Sequence, residues 1–207
     1  MRKLNLFPVV FLLCPFWLSA QIYLTNSSFE GDQPQDATIP AGWIPFKMGT
    51  TPDILPGFWG VHLEASEGET YVGLITRNDG SWESIGQRLS APLKPNECYT
   101  VSMDLAYSKT YAGYGRPLRL RIWGGQTKGQ REQLLVTSDL IDHADWESYR
   151  FKFVTESSLN YLIIEAFHQD GDFSYQGNIL IDNIQEIKKC IRAGLDPQPN
   201  ADGIFRG

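Results

Sequence analysis

The fold is decided by a stretch near the end of the chain, Gly177-Asn178-Ile179-Leu180-Ile181-Asp182-Asn183-Ile184-Gln185-Glu186-Ile187-Lys188-Lys189-Cys190. Its isoleucines favour a β-strand, because side chains branched at the β-carbon pack well on a pleated surface. Asp182 interrupts the apolar part of the run, and a buried acid needs a partner. We therefore predict an interior strand whose single acid has a specific role.

Two further segments alternate between apolar and polar residues, as a strand with one buried face does. In one, Val101, Met103 and Leu105 share a face that excludes Ser102 and Asp104. In the other, Leu118, Leu120 and Ile122 should point inward and Arg119, Arg121 and Trp123 outward. Short runs of this kind, separated by turn residues and without a convincing amphipathic helix, predict an all-β, antiparallel β-sandwich of the jelly-roll type.

The first twenty residues are typical of a secretory signal peptide. Arg2 and Lys3 precede an apolar run that ends at Leu18-Ser19-Ala20, a small-residue cleavage site. A lipid anchor at Cys14 is disfavoured, because Leu13 stands where a small residue is wanted. We predict a signal peptide at 1–20, a sandwich domain at 21–192 and a flexible tail or linker, rich in Gly and Pro, at 193–207. The chain would be exported, that is secreted, periplasmic or on the cell surface.

Charge and length narrow the class of partner. Cleavage after residue 20 leaves 187 residues with 16 Lys and Arg against 24 Asp and Glu, a net charge of −8. This balance argues against nucleic acid and anionic membrane surfaces. The signal run is too short for a membrane span, so we expect no membrane insertion after cleavage. The remaining length suits one all-β domain.

Two cysteines remain in the expected mature chain, Cys98 and Cys190. A pair in an exported protein predicts a disulfide, with two free buried thiols as the alternative. If Cys98 faces Cys190 across antiparallel strands, Leu105 falls beside Asn183.

Several segments together resemble the galactose-binding-like jelly rolls, the sandwich of many carbohydrate-binding modules, and domains of exported Bacteroidota proteins. The resemblance covers 22–191 and is specific for the fold rather than for a ligand. The segments that carry it are Asn26-Ser27-Ser28-Phe29-Glu30, Gly42-Trp43, Glu67-Gly68-Glu69-Thr70-Tyr71-Val72-Gly73-Leu74, Ile85-Gly86-Gln87-Arg88-Leu89, Cys98-Tyr99-Thr100-Val101-Ser102, Trp146, Tyr149-Arg150-Phe151-Lys152-Phe153 and Ile181-Asp182-Asn183-Ile184.

The resemblance also implies one structural Ca²⁺ between the start and the end of the domain. Carried over by position, Glu30 and Asp182 would supply carboxylates, and carbonyls near Glu67 and Gly68 would complete the shell. Ca²⁺ takes six to eight oxygen ligands, so this donor set suits it. The alternative is that Asp182 accepts backbone N–H groups or meets an arginine.

Catalytic signatures are weak. His62, His143 and His168 have no metal-ligand spacing, and no serine stands in a nucleophile elbow. A glycosidase needs two carboxyl groups about 5–10 Å apart across a cleft, and the sequence does not place such a pair. We expect a protein that is not an enzyme.

A binding face is the stronger expectation. The outward Arg119, Arg121 and Trp123 should meet Tyr161, Ile163 and Glu165 on a second strand, and aromatic loop residues, Trp82 among them, should rim the same face. Aromatic rings offer flat apolar surface to a sugar, and arginines and acids bond its hydroxyls. The alternative is an ordinary cross-strand charge set with tryptophans that plug the core edges. The candidate ligand-binding residues are Arg119, Arg121, Trp123, Tyr111, Tyr114, Glu165 and Trp59.

These features favour a non-catalytic, exported domain, like a carbohydrate-binding module, that binds a glycan on one sheet face. The alternative is a structural or adhesion module of a cell-envelope assembly, which uses the same face against protein and has no sugar ligand.

Overall fold

A computed structural model describes residues 21–168 and 174–190, together with the backbone of the strand Ile204–Arg206. The expected signal peptide and the tail apart from that strand lie outside the described residues and stay predictions. The described ranges contain no helix, and hence none with the length and apolar character needed to cross a membrane.

The described residues form thirteen strands of two to ten residues each. They are β1 (Ile44–Pro45), β2 (Asp53–Leu55), β3 (Tyr71–Thr76), β4 (Ser84–Leu93), β5 (Cys98–Ala106), β6 (Arg116–Pro117), β7 (Arg119–Gly125), β8 (Gln133–Thr137), β9 (Glu147–Val154), β10 (Leu159–Phe167), β11 (Gly177–Asp182), β12 (Lys188–Lys189) and β13 (Ile204–Arg206).

The strands form two sheets that pack face to face. The first sheet has the order β1-β4-β10-β7-β8, and the second has the order β13-β9-β5-β11-β3-β2, with β12 on β5 and β6 on β11. Pairing is antiparallel except for the short contact between β6 and β11. The predicted all-β antiparallel sandwich is confirmed.

The inward faces of the two sheets build one main core. In the first sheet Leu120 and Ile122 of β7 are fully buried there, as the alternation predicts. In the second sheet β11 lies between β3 and β5 and sends Ile179 and Ile181 into the same cluster. Burying each such side chain contributes about 1.5–3 kcal/mol to folding, so β11 is a central stabilising strand.

The predicted disulfide between Cys98 and Cys190 is confirmed, with their Cα atoms 5.3 Å apart. It follows the pairing of β12 with β5, in which Lys189 lies opposite Tyr99. The predicted register does not extend along the strand, because Leu105 lies opposite Ile181 rather than beside Asn183. The chain leaves the ladder after Asp182: Asn183 has a φ of 50°, and Ile184 donates its N–H to Ser27 instead.

Replacing both Cys98 and Cys190 by Ser should lower the free energy of unfolding by about 2–4 kcal/mol, because the bond closes a long loop in the unfolded chain. Urea denaturation of the wild type and the double variant measures the difference. Wild-type protein treated with a reductant is the control and should lose the same amount. Two free thiols in non-reducing mass spectrometry of the oxidised protein would contradict the prediction.

Candidate functional site

The outward side chains of β7 and β10 lie side by side on the first sheet. Trp123 stands opposite Ile163, Arg121 opposite Glu165 and Arg119 opposite Phe167. The structure therefore brings together the predicted group of Arg119, Arg121, Trp123 and Glu165. We call this surface the arginine–tryptophan face; its members are Arg119, Arg121, Trp123, Tyr161, Ile163, Glu165 and Phe167, with Lys47, Trp82 and Arg131 from the adjoining loops.

Glu165 occupies the middle of the arginine–tryptophan face and has no exposed surface. Its Oε2 accepts a hydrogen bond from the guanidinium of Arg131. That guanidinium lies 5.4 Å from the ring centre of Trp123 and 5.9 Å from that of Trp82. Arg131 thus covers the buried acid from a position between two tryptophans.

Cations stack on the aromatic rings of this face. The Arg121 guanidinium lies 3.2 Å from the ring centre of Phe167, and Lys47 Nζ lies 3.0 Å from that of Trp82. The rings of Trp82 and Phe167 meet edge to face at 5.8 Å. A cation over a ring is attracted by the negative face of the π-system, which helps to hold these side chains in place.

Several buried polar atoms on the arginine–tryptophan face have no hydrogen-bond partner in the described protein. The donors are the indole Nε1 of Trp82, that of Trp123 and Nε of Arg119. Oε1 of Glu165 is an acceptor that also has no partner. The same holds for the hydroxyl of Ser84, which can donate or accept and stands opposite Glu165 in β4. Buried polar groups are nearly always hydrogen-bonded, so this concentration indicates that water or a ligand completes the surface.

Phe46 closes one end of this face. Its ring covers Gly86 of β4, where an added Cβ would stand 2.8 Å from it, and it meets Tyr161 at a centroid distance of 5.9 Å. Any larger residue at this position would collide with the Phe46 ring and with the carbonyl of Leu162, so glycine is needed for this packing.

Some members of the face were missed by sequence reasoning. Phe167 continues the outward alternation of Tyr161, Ile163 and Glu165, so the period of two was a usable signal. Lys47 and Arg131 belong to loops, where no periodicity predicts the direction of a side chain.

The prediction that Tyr111, Tyr114 and Trp59 rim the same face is wrong. Tyr111 is 2% exposed and packs on the outer surface of the second sheet, where an added Cβ on Gly73 of β3 would lie 3.2 Å from its ring. Tyr114 meets Tyr111 edge to face at 6.0 Å. The loop that carries them folds onto this sheet because Nδ2 of Asn178 in β11 donates to the carbonyls of Ser108 and Tyr114.

Asp53 ties Trp59 and Tyr111 together on that second surface. It accepts hydrogen bonds from the Tyr111 hydroxyl, from Nε1 of Trp59 at 3.3 Å and from the N–H of Ala37 at 2.8 Å. Burial raises the pKa of Asp53 above its ordinary value of 3.8, although these hydrogen bonds oppose the change. The aromatic cluster is therefore organised around a buried acid and has a structural role.

The raised pKa of Asp53 predicts a pH dependence of stability. The folded state keeps the proton at pH values where the unfolded chain has lost it, so the stabilisation is complete below pH 3.8 and is lost as the pH rises above that value. Between about pH 4 and neutral pH, the unfolding free energy of the wild type should fall more steeply than that of Asp53→Asn. Urea titrations at several pH values measure both slopes, and parallel slopes would contradict the prediction.

Glu30 and Asp182 form hydrogen bonds with the two ends of one segment, Ser66–Thr70. Oδ2 of Asp182 accepts the N–H groups of Ser66 and Glu67 at 2.8 and 3.0 Å, and Oε1 of Glu30 accepts those of Glu69 and Thr70, both at 2.9 Å. Gly68, between them, has a φ of +70°, and a Cβ there would lie 2.4 Å from Oε1 of Glu30. Both acids therefore accept backbone N–H groups, which is the alternative that the sequence left open for Asp182.

Asp182 is fully buried, and burial raises its pKa to about 6. It stands opposite Asp104 of β5, and Ser66 links the two acids because its hydroxyl donates to Asp104 at 2.6 Å. The described residues gather no group of three or more His, Cys, Asp or Glu side chains that fits a metal ion. A Ca²⁺ held by Glu30 and Asp182 would have to complete its shell with backbone carbonyls, and the calcium site stays a prediction.

Calcium should raise the melting temperature if this prediction is right. At about 100 times its dissociation constant, a ligand that binds the folded state alone adds about 2.7 kcal/mol of stability. Thermal scans with calcium and with a chelator measure the shift, which Glu30→Gln and Asp182→Asn should abolish. Asp32→Asn, a change at a neighbouring acid that contacts the N–H of Ala41, is the control and should keep the shift. Identical scans with calcium and chelator would exclude the site.

Comparisons with known proteins show the fold. No protein-family model and no curated protein matches the sequence. Among solved structures, the K2 cleaved adhesin domain of Lys-gingipain matches with a TM-score of 0.50 and 13% identity, over 82% of this chain and 99% of that domain. An arabinose-bound α-L-arabinofuranosidase matches with a TM-score of 0.54 and 12% identity, over 83% of this chain and 26% of the enzyme.

A family 16 carbohydrate-binding module is also similar, with a TM-score of 0.46 and 18% identity, over 79% of this chain and 97% of the module. At these identities the likeness to the adhesin domain and to the arabinofuranosidase concerns the fold alone. The chain thus shares its sandwich architecture with the adhesin domain and with part of the arabinofuranosidase.

Proposed function

We propose that this chain is a non-catalytic, exported domain that binds a glycan on the arginine–tryptophan face. The observation that carries the proposal is the set of buried polar atoms without a hydrogen-bond partner that lie among aromatic rings there. Leaving such an atom unsatisfied costs about 1–3 kcal/mol, so a polar ligand that satisfies several at once would bind favourably.

Sugar hydroxyls suit these atoms because each hydroxyl both donates and accepts. Oε1 of Glu165 would accept a hydroxyl proton, and Nε1 of Trp123, Nε1 of Trp82 and Nε of Arg119 would donate to hydroxyl oxygens. The rings of Trp123 and Tyr161, both half-buried, would contact the apolar face of a sugar.

Arg131 controls access in this proposal. Its side chain is 31% exposed, whereas that of Glu165 is 1% exposed beneath it. A ligand hydroxyl reaches the acid when the long arginine side chain swings aside. The arginine can then donate hydrogen bonds to the ligand instead of to the acid.

Export is supported by the bond between Cys98 and Cys190. Disulfides form and persist in oxidising compartments such as the periplasm or the cell exterior. The rival proposal, an adhesion or structural module without a sugar ligand, shares this compartment, so ligand binding is what separates the two.

Trp123→Ala should weaken glycan binding about tenfold or more, which corresponds to at least 1.4 kcal/mol. Affinity gel electrophoresis against a panel of soluble polysaccharides finds the ligand, and titration calorimetry measures the loss. The melting temperature should change little, because Trp123 points away from the main core.

Trp59→Ala is the matched control, since Trp59 is 47% exposed but lies on the other sheet. It should leave binding unchanged. Equal losses in the two variants would contradict the placement of the site. A panel without a single binding polysaccharide, combined with a co-purifying envelope protein, would favour the adhesion module.

A further inference from the structure

The arginine–tryptophan face has a charge opposite to that of the whole chain. The protein has 18 Lys and Arg against 24 Asp and Glu, a net charge of −6. On this face the cations Lys47, Arg119 and Arg131 accompany the carboxylate of Glu165. A local excess of one sign over a surface attracts ligands of the other sign.

Two cations of this face, Arg119 and Lys47, are held in place by neutral groups. Nη1 of Arg119 donates to the carbonyl of Ser138 at 2.7 Å, and Lys47 stacks on the ring of Trp82. Neither contact cancels the positive charge. Both side chains are half-buried, so their charges are less screened by solvent than those of free surface residues.

Two carboxylates near this face are already bound to arginines, and a third, that of Asp79, lies at its margin. Glu165 is bonded to Arg131 through Oε2. Glu83, fully buried beside the face, pairs with Arg77 at 2.6 Å. Asp79 is exposed on the turn after Arg77.

The charged groups around Lys47 act on its pKa. Burial lowers the pKa of its ammonium group; the carboxylates of Glu165 and Asp79 oppose that change, and the guanidinium groups of Arg131 and Arg77 reinforce it. The cations are thus close enough to repel one another, and a ligand anion between them would relieve that repulsion.

We propose that the ligand of this face is an anionic glycan, a polysaccharide that carries carboxylate or sulfate groups. This inference rests on the proposed function and adds the ligand class. Arginine presents a planar fork of donors that matches a carboxylate or sulfate, and Lys47 adds a compact charge beside it. The buried polar atoms bond the sugar hydroxyls, and the cations select the charged sugar.

The test compares polymers that differ in charge. The probes are polygalacturonate, the same polymer with its carboxyl groups reduced to alcohols, and a sulfated galactan with its desulfated form. Calorimetry at low and high salt should show about tenfold or tighter binding of at least one charged polymer over its neutral form, with the difference reduced at high salt. The two charged polymers distinguish carboxylate from sulfate recognition.

Lys47→Gln and Arg119→Gln should each reduce the preference for the charged polymer, while Lys109→Gln should not. Lys109 is an exposed cation on the loop that covers the second sheet, so it controls for a change in total charge. Melting temperatures identify a variant that fails to fold; Lys47→Gln removes no backbone hydrogen bond of the described protein.

Equal binding of charged and neutral polymers would overturn the anionic ligand and leave the glycan-binding function standing. An equal loss of preference in Lys109→Gln would also overturn it, because the attraction would then be general. Failure of all the polymers to bind would overturn both this inference and the proposed function.

Discussion

Seven consecutive cross-strand pairs join β7 to β10, from Tyr161 opposite Gly125 to Phe167 opposite Arg119. This register decides which side chains enter the core and which form the outer surface, because neighbouring residues of a strand point to opposite sides. A shift of one residue would move the arginines of β7 inward and expose Leu120 and Ile122. The hydrophobic core and the candidate site are therefore specified by the same set of backbone hydrogen bonds.

Residues within strands were predictable because their periodicity reports their direction. The alternation around Leu120 and Ile122 correctly predicts that Arg119, Arg121 and Trp123 point outward. The disulfide was predictable because two cysteines in a chain expected to be exported usually pair. Loop residues carry no such signal: the path of Tyr111 depends on Asn178 in β11, which is far along the chain and bonds the carbonyls of Ser108 and Tyr114. The change of strand register at Asn183 was equally unpredictable from the sequence, because it depends on the hydrogen bond from the N–H of Ile184 to the carbonyl of Ser27.

The acid in the isoleucine-rich strand has a structural explanation. Asp182 fastens the segment Ser66–Thr70 at one end while Glu30 fastens it at the other, so residues from the start, the first third and the end of the domain meet in one place. The disulfide joins β5 to the chain just after β12 and restrains the same end of the sequence. These contacts join the two ends of the domain at the second sheet. The outer surface of the first sheet takes no part in them, and it carries the buried polar atoms that have no hydrogen-bond partner in the described protein.

Arg131 belongs to the connection between β7 and β8, and β8 is the edge strand of its sheet. Hairpin connections at an edge accept insertions and deletions without disturbing the interior. The side chain that covers Glu165 thus belongs to a connection rather than to a strand of the sheet. A change in the length or sequence of this hairpin would therefore alter how Glu165 is covered while the two sheets keep their register.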